Sequence, residues 1–251
     1  MAKPGTSDSS SRKRADVVLV ERGLFESRAR ARAAIEAGLV VADDCVVAKP
    51  SEVIAVDAVL QAQPAHPYVS RGGVKLAGAL ESYPIEIEDH ICLDVGASTG
   101  GFTEVLLANG AAMVFSIDVG HGQLHHSLRG HPKIVSMENT DIRKLENTRL
   151  PARPDIVVID VSFISLKAVL PAALSLAAAP MHLLALIKPQ YEAERKNYKG
   201  GIIRNAMVHQ RICDDISAFA ASLGCTDMQV FPSPIAGGDG NIEFFLGARR
   251  G

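Results

Sequence analysis

The stretch Ile91-Cys92-Leu93-Asp94-Val95-Gly96-Ala97-Ser98-Thr99-Gly100-Gly101-Phe102-Thr103 carries residue types that suit a nucleoside cofactor. An apolar run ends in a carboxylate, three glycines follow, and helical spacing begins at Phe102. Glycine lets backbone approach a ligand closely, and the first turn of a helix offers unpaired N–H groups. The candidate contacts here are Asp94, Gly96, Ser98, Thr99, Gly100, Gly101 and Phe102. Asp118 ends a second apolar run, 24 residues after Asp94, where a carboxylate accepts hydrogen bonds from ribose hydroxyls. A turn built for a pyrophosphate reads G-x-G-x-x-G, and Ser98 stands where its second glycine belongs. S-adenosylmethionine has no pyrophosphate, so the turn favours it over a dinucleotide. Asp141 follows Asn139 and Thr140 and has two readings: it faces the adenine, or it caps the turn from Ile142 onward.

Such residues need a scaffold that ends several strands at one edge. Strands are expected at Ile91–Asp94, Met113–Asp118, Ile134–Met137, Ile156–Asp160, His182–Lys188, Asp227–Phe231 and Ile242–Leu246. Helical spacing fills Phe102–Ala108, Gln123–Leu128, Ile164–Ala179 and Met207–Leu223. Alternating strands and helices argue an α/β fold with a mostly parallel sheet covered on both faces. Right-handed crossovers then bring Asp94, Asp118, Asp160 and Lys188 to one edge, where ligand sites form in such sheets. The last two strands, joined by the Gly-rich stretch Pro232–Asn241, suit a hairpin.

The N-terminal part differs in character. Between Arg12 and Arg32 seven basic residues stand against Asp16, Glu21 and Glu26, although the whole chain carries a formal charge of only −2. Local clustering, rather than net charge, is the quantity that bears on nucleic acid. A short helix is expected over Arg14–Arg22. A second follows from an N-cap at Ser27 to Ala37, with Gly38 as a left-handed C-terminal residue. Small strands follow at Leu39–Val41, Cys45–Val47 and Val53–Val56, with a turn at Asp43-Asp44. The polar residues 1–11 read as a disordered tail with no signal-peptide core. Residues 61–68, with Pro64 and Pro67, read as a linker. Four cysteines without a CxxC pair suit free thiols in a reducing cytoplasm. The longest apolar run, Leu170–Ile187, is interrupted by Pro171 and Pro180 and is no membrane span.

Two resemblances sharpen this reading. Ser27-Arg28-x-x-Ala31, Ile35, Gly38-Leu39-Val40 and Lys49-Pro50 resemble an S4 RNA-binding domain, here residues 12–60. That resemblance places RNA contacts on Arg28, Arg32 and Lys49; Arg14 and Arg71 join the same candidate set. Arginines four apart on one helix face can follow a phosphate backbone. Residues 69–251, with Tyr68 just before them, carry Tyr68-Val69-Ser70-Arg71-Gly72-Gly73, the glycine turn above, Asp118-Val119-Gly120-x-Gly122-Gln123-Leu124, Asp160-Val161-Ser162-Phe163-Ile164-Ser165, Lys188-Pro189-Gln190 and Gly240-Asn241-x-Glu243-Phe244. Together these resemble the TlyA family, S4-domain ribosomal RNA cytidine 2′-O-methyltransferases also called haemolysin-like. The catalytic domain of that family is of the heat-shock RNA methyltransferase type.

The resemblance implies a Rossmann-like S-adenosylmethionine-dependent methyltransferase with a mixed, mostly parallel seven-stranded sheet, plus the small S4-like domain. It implies a Lys-Asp-Lys-Glu catalytic set on Lys75, Asp160, Lys188 and Glu243. A ribose 2′-hydroxyl is a poor nucleophile, so orientation and stabilisation of developing oxyanion charge should supply most of the catalysis. The implied partners are ribosomal RNA and ribosomal subunits, the large subunit first. The basic run Arg12-Lys13-Arg14 makes the small subunit a further candidate. No metal is needed by this chemistry and no membrane is expected. Two alternatives compete: an inactive ribosomal RNA-binding or assembly protein, and a haemolysin. The intact lysine–carboxylate set argues against the first, and the lack of an amphipathic or pore-like segment against the second.

Overall fold

The computed structural model describes residues 11–146, 149–193 and 201–251. The expected tail lies outside the described residues except for Ser11. The chain forms two compact units, Met1–Pro67 and Tyr68–Gly251.

In the first unit, β1 (Arg12–Arg14) pairs antiparallel with β4 (Val53–Ala55), and the helices α1 (Ala15–Glu21) and α2 (Arg28–Glu36) follow β1. A second small sheet has β2 (Val40–Ala42) between β3 (Cys45–Val46) and β5 (Leu60–Ala62). Ser27 caps α2 by accepting the Arg30 N–H. Gly38, at φ +71°, ends α2: its N–H reaches the Ile35 carbonyl and the Leu39 N–H reaches that of Ala34. This crossed pair closes the helix and needs the left-handed residue. Val18, Leu19, Ala31, Ile35 and Val40 form the centre of the unit's core. Two expectations are corrected here. Arg14 is the end of a strand, because β4 offers it a backbone partner. Gln61 and Ala62, expected in the linker, pair with β2 instead, so the connection is shorter than residues 61–68.

The second unit is a seven-stranded sheet between two helical layers. In chain order its strands are β6 (Ile91–Val95), β7 (Met113–Ile117), β8 (Ile134–Met137), β9 (Ile156–Ile159), β10 (Met181–Ile187), β11 (Thr226–Pro232) and β12 (Phe244–Arg250). Their spatial order is β11-β12-β10-β9-β6-β7-β8, and β12 runs antiparallel to both neighbours. The other adjacent strands are parallel. Helices α3 (Arg71–Ser82) and α4 (Gly101–Ala108) are followed by α5 (Leu166–Leu176), the short α6 (Pro189–Glu192) and α7 (Ala206–Ser222). Successive strand residues point to opposite faces. Leu93 and Val95 therefore join the core beside α5 and α7, whereas Cys92 joins the core beside α3 and α4. The chain reverses direction across the sheet between β6 and β9, and this is where the strand ends open a crevice.

The expected helix over Gln123–Leu128 is absent. The Glu138 carboxylate, at the end of β8, accepts the N–H groups of Gly122, Gln123 and Leu124. Arg129 donates back to the carbonyls of Gly122 and Leu124. These side chains satisfy the backbone as a turn and remove the need for a helix. The last strand begins at Phe244 and runs to Arg250, two residues later and longer than expected.

Candidate active site

A cleft of about 560 Å³ opens at the C-terminal ends of β6, β7 and β9. Gly96, Ser98, Asp118, Asp141 and Asp160 line it, with apolar walls from Val119, Ile142, Val161 and Ile164. Asp118 anchors the glycine turn. Its Oδ2 accepts the Ser98 N–H at 2.8 Å and its Oδ1 accepts that of Gly120 at 2.7 Å. Asp141 accepts the Arg143 N–H as the cap of the turn Ile142–Lys144, and Arg143 also clasps its two oxygens at 2.9 and 2.7 Å. Asp141 is therefore the cap of that turn, and it also lines the cleft. Its carboxyl is held at about 2, chiefly by the Arg143 side-chain hydrogen bond.

Asp94, Thr99, Gly100, Gly101 and Phe102 do not line the cleft. Asp94 is fully buried on the opposite face of β6 from Val95, where Thr103 Oγ1 donates to its Oδ2 at 2.6 Å and also meets Ser116 Oγ at 2.7 Å. Burial pushes the Asp94 carboxyl up to about 7, against the Thr103 hydrogen bond. Phe102 is a core residue stacked on Phe245. A Cβ on Gly100 would stand 2.4 Å from Leu128 Cδ1, and one on Gly101 would stand 2.7 Å from the Gly73 nitrogen. These two glycines serve close packing around α4. Gly96 is different: at φ +85° it borders the cleft, and a Cβ would lie 2.5 Å from the Asp160 carbonyl oxygen.

The lysine–carboxylate set is assembled by the sheet. Ile187 pairs with Phe244, so Lys188 and Glu243 continue two adjacent strands, and Asp160 follows β9 on the other side of β10. Lys75 Nζ, from α3, donates to Glu243 Oε2 at 2.5 Å. Lys188 Nζ lies 2.6 Å from Asp160 Oδ1 and donates to Ser162 Oγ at 2.8 Å. Lys75, Lys188 and Glu243 are all buried. Buried ion pairs gain little stability against apolar substitutes, so the Lys75–Glu243 pair and a buried Lys188 on the half-buried Asp160 point to chemistry. Gly237 lets the loop after β11 close over Glu243, since a Cβ there would sit 2.5 Å from Glu243 Oε1.

The candidate RNA residues divide. Arg14 and Arg28 both bind the buried Asp16 carboxylate, at 2.9 and 2.7 Å, and keep 45% and 56% of their side chains exposed. Asp16 is held at about 2, first by its hydrogen bond from Arg14. Arg32 and Lys49 are exposed. Arg71 belongs to the second unit, where it donates to the Ala236 carbonyl at 2.5 Å. Sequence reasoning gave no role to Ser162 or Glu138. Ser162 was visible as the second residue after Asp160, whereas nothing local marks Glu138 as a turn organiser.

The cleft fits S-adenosylmethionine on its own terms. Its volume suits a nucleoside-sized ligand. Asp118, Asp141 and Asp160 face it against one arginine already paired with Asp141, a balance that attracts a cation and repels a pyrophosphate. The fold and this site define the chain as a Rossmann-like methyltransferase that uses S-adenosylmethionine. A solved candidate S-adenosylmethionine-dependent methyltransferase from Listeria monocytogenes shares the fold, with TM-score 0.54 at 12% identity over 72% of this chain and all of that one. The chain belongs to the FtsJ-like methyltransferase family, whose profile matches residues 68–250. It is 42% identical to the 16S/23S rRNA (cytidine-2′-O)-methyltransferase TlyA of Mycobacterium tuberculosis, over 95% of this chain and 90% of the relative. A solved candidate hemolysin from Streptococcus thermophilus is 39% identical, with TM-score 0.77, over 96% of this chain and 90% of that one.

Proposed function

We propose that the chain transfers the methyl group of S-adenosylmethionine to the ribose 2′-hydroxyl of cytidine in ribosomal RNA. The observation that carries this is the paired lysine–carboxylate set: the buried Lys75–Glu243 pair, and Lys188 against Asp160, which itself lines a cleft rich in carboxylates. Gly96, Ser98, Asp118 and Asp141 would hold the cofactor, which supplies a sulfonium-activated methyl group. Lys188 Nζ orients the 2′-hydroxyl, and its charge stabilises the oxygen as the hydroxyl proton passes to solvent water. Asp160 fixes Lys188 from one side. Glu243 fixes the Lys75 ammonium as the second pair of the set. In this reading the unit Met1–Pro67 is the S4-like docking module and Tyr68–Gly251 the catalytic unit.

The Mycobacterium tuberculosis relative is a 16S/23S rRNA methyltransferase, which makes ribosomal subunits the natural partners and the cytoplasm the place of action. Among the described residues no helix is long and apolar enough to cross a membrane. The test is direct. Purified protein is incubated with labelled S-adenosylmethionine and, separately, with large subunits, small subunits and protein-free ribosomal RNA. Transfer that disappears when the target ribose is already 2′-O-methylated is the expected result. No transfer to any of the three substrates would favour the RNA-binding alternative.

A further inference from the structure

The Ser162 hydroxyl has no part in the lysine–carboxylate set, yet Lys188 donates to it. Lys188 Nζ reaches Ser162 Oγ at 2.8 Å. Its approach to Asp160 Oδ1, at 2.6 Å, has ion-pair distance without hydrogen-bond geometry, so Oδ1 remains without a hydrogen-bond donor. Charge attraction is weakly directional, whereas a hydrogen bond constrains both distance and angle. The bond that aims Lys188 is therefore the one to Ser162. Ser162 is also exposed and lines the cleft, whereas Lys188 is buried.

The local chain is built to hold this arrangement. Asp160 and Ser162 are two apart beyond the end of β9, and both side chains reach Lys188 Nζ. Phe163 then turns the chain at φ +65°, a conformation that side chains seldom adopt. Ser165 caps α5 by accepting the Lys167 N–H at 3.1 Å. Glu192, four residues after Lys188, accepts from Ser165 Oγ at 2.5 Å and from the Leu166 N–H at 2.7 Å. Residues 160–166 and 188–192 are thus joined at two places, by Lys188 at one end and by Glu192 at the other.

We propose that Ser162 is a positioning residue for methyl transfer: its hydroxyl aims the Lys188 ammonium, and Glu192 holds the segment that presents it. The proposal rests on the reading of Lys188 given above. A hydroxyl suits the task because it accepts from an ammonium and can also donate to an incoming ribose oxygen.

The experiment compares wild type, Ser162→Ala, Ser162→Thr and Glu192→Gln, measuring kcat, KM for RNA, S-adenosylhomocysteine affinity and thermal stability. Loss of a hydrogen bond to a charged group lowers kcat of Ser162→Ala roughly ten- to a hundred-fold. KM, cofactor-product affinity and melting temperature stay near wild type. Ser162→Thr keeps the hydroxyl and recovers most of the rate, and Glu192→Gln shows a smaller loss in kcat. Wild-type turnover by Ser162→Ala, or a loss confined to KM, overturns the proposal. A crystal structure of Ser162→Ala gives a readout independent of activity. Lys188 Nζ is expected to leave its wild-type position, and an unmoved Lys188 also overturns the proposal. A wild-type enzyme that transfers no methyl would sink the proposed function, while the Lys188 geometry would still decide this one.

Discussion

Glu243 holds Lys75 at 2.5 Å across 168 residues of sequence, with 3% and 9% of the two side chains exposed. The two charges compensate each other in a dry setting. Removing one partner of such a pair costs far more than replacing both by apolar groups. Lys75→Met is expected to lower stability by roughly 3–5 kcal/mol, and Lys75→Met combined with Glu243→Leu to restore most of it. Neither variant should transfer methyl. Chemical denaturation measures the first expectation and label transfer the second. A double variant no more stable than the single one would show that the pair is not the source of the loss.

Asp94 makes stability depend on pH in a defined window. Its carboxyl rises from an ordinary 3.8 to about 7 in the folded chain, first because it is buried. The folded state therefore keeps a proton that the unfolded chain releases. The stabilisation is complete below the unfolded value and is lost as pH rises toward the folded one. Wild-type stability should carry a downward slope from this group between about pH 4 and pH 7. Asp94→Asn has no proton to lose and should flatten that slope. Urea midpoints measured across the window test this, and identical slopes in the two proteins would refute it.

What was readable in the chain, and what was not, follows from where the deciding contact lies. Asp160 and Lys188 each follow an apolar run, so their placement at a strand edge was readable from periodicity. Gly38 was readable as a helix terminator because its partners, Ala34 and Ile35, are local. Gly100 and Gly101 were readable as required glycines, but not for their reason. Leu128 and the backbone of Gly73, which exclude a Cβ there, are distant in sequence. Asp94 shows the same limit. Alternation puts it opposite Val95, yet only the helical layers reveal that the cleft lies on Val95's side. The lost helix at Gln123–Leu128 depends on Glu138, a single acceptor from a later strand.

The basic residues of the first unit should separate by function. Arg32 and Lys49 are exposed, whereas Arg28 shares the buried Asp16 with Arg14. Arg32→Ala and Lys49→Ala should weaken RNA binding at unchanged melting temperature, each lowering the salt slope of log K by about 1. Arg28→Ala should reduce affinity and melting temperature together. RNA titrations at several salt concentrations, paired with thermal unfolding, distinguish the two patterns. A stability loss at Arg32 would contradict its assignment as a surface contact.

Binding and chemistry should also come apart across the cleft. Lys188→Ala leaves the glycine turn untouched, so S-adenosylmethionine affinity should remain near wild type while transfer is lost. Asp118→Ala removes the acceptor for the Ser98 and Gly120 N–H groups, so affinity should fall roughly ten-fold or more. Calorimetric titration with the cofactor reads both. Near-normal turnover by a folded Lys188→Ala protein would remove that lysine from its assigned role.

Gly96 gives the most local test of the cleft. Its φ of +85° is strained for any residue with a side chain, and a Cβ would face the Asp160 carbonyl oxygen at 2.5 Å. The obstacle is backbone, tied by the Asp160 N–H to the Val95 carbonyl, so it cannot swing aside as a side chain would. Gly96→Ala should therefore push the ends of β6 and β9 apart and cost at least about 1–2 kcal/mol from the left-handed conformation alone. Because Asp160 carries one of the two pairs, transfer should fall even where the variant stays folded. Gly100→Ala is the comparison: its Cβ would meet the side chains of Leu128 and Leu124 rather than the Asp160 backbone, and the φ of +92° penalises it as well. The expected order is a larger loss of transfer in Gly96→Ala than in Gly100→Ala at matched folded fraction. The reverse order would mean that the β6–β9 contact does not set the position of Asp160.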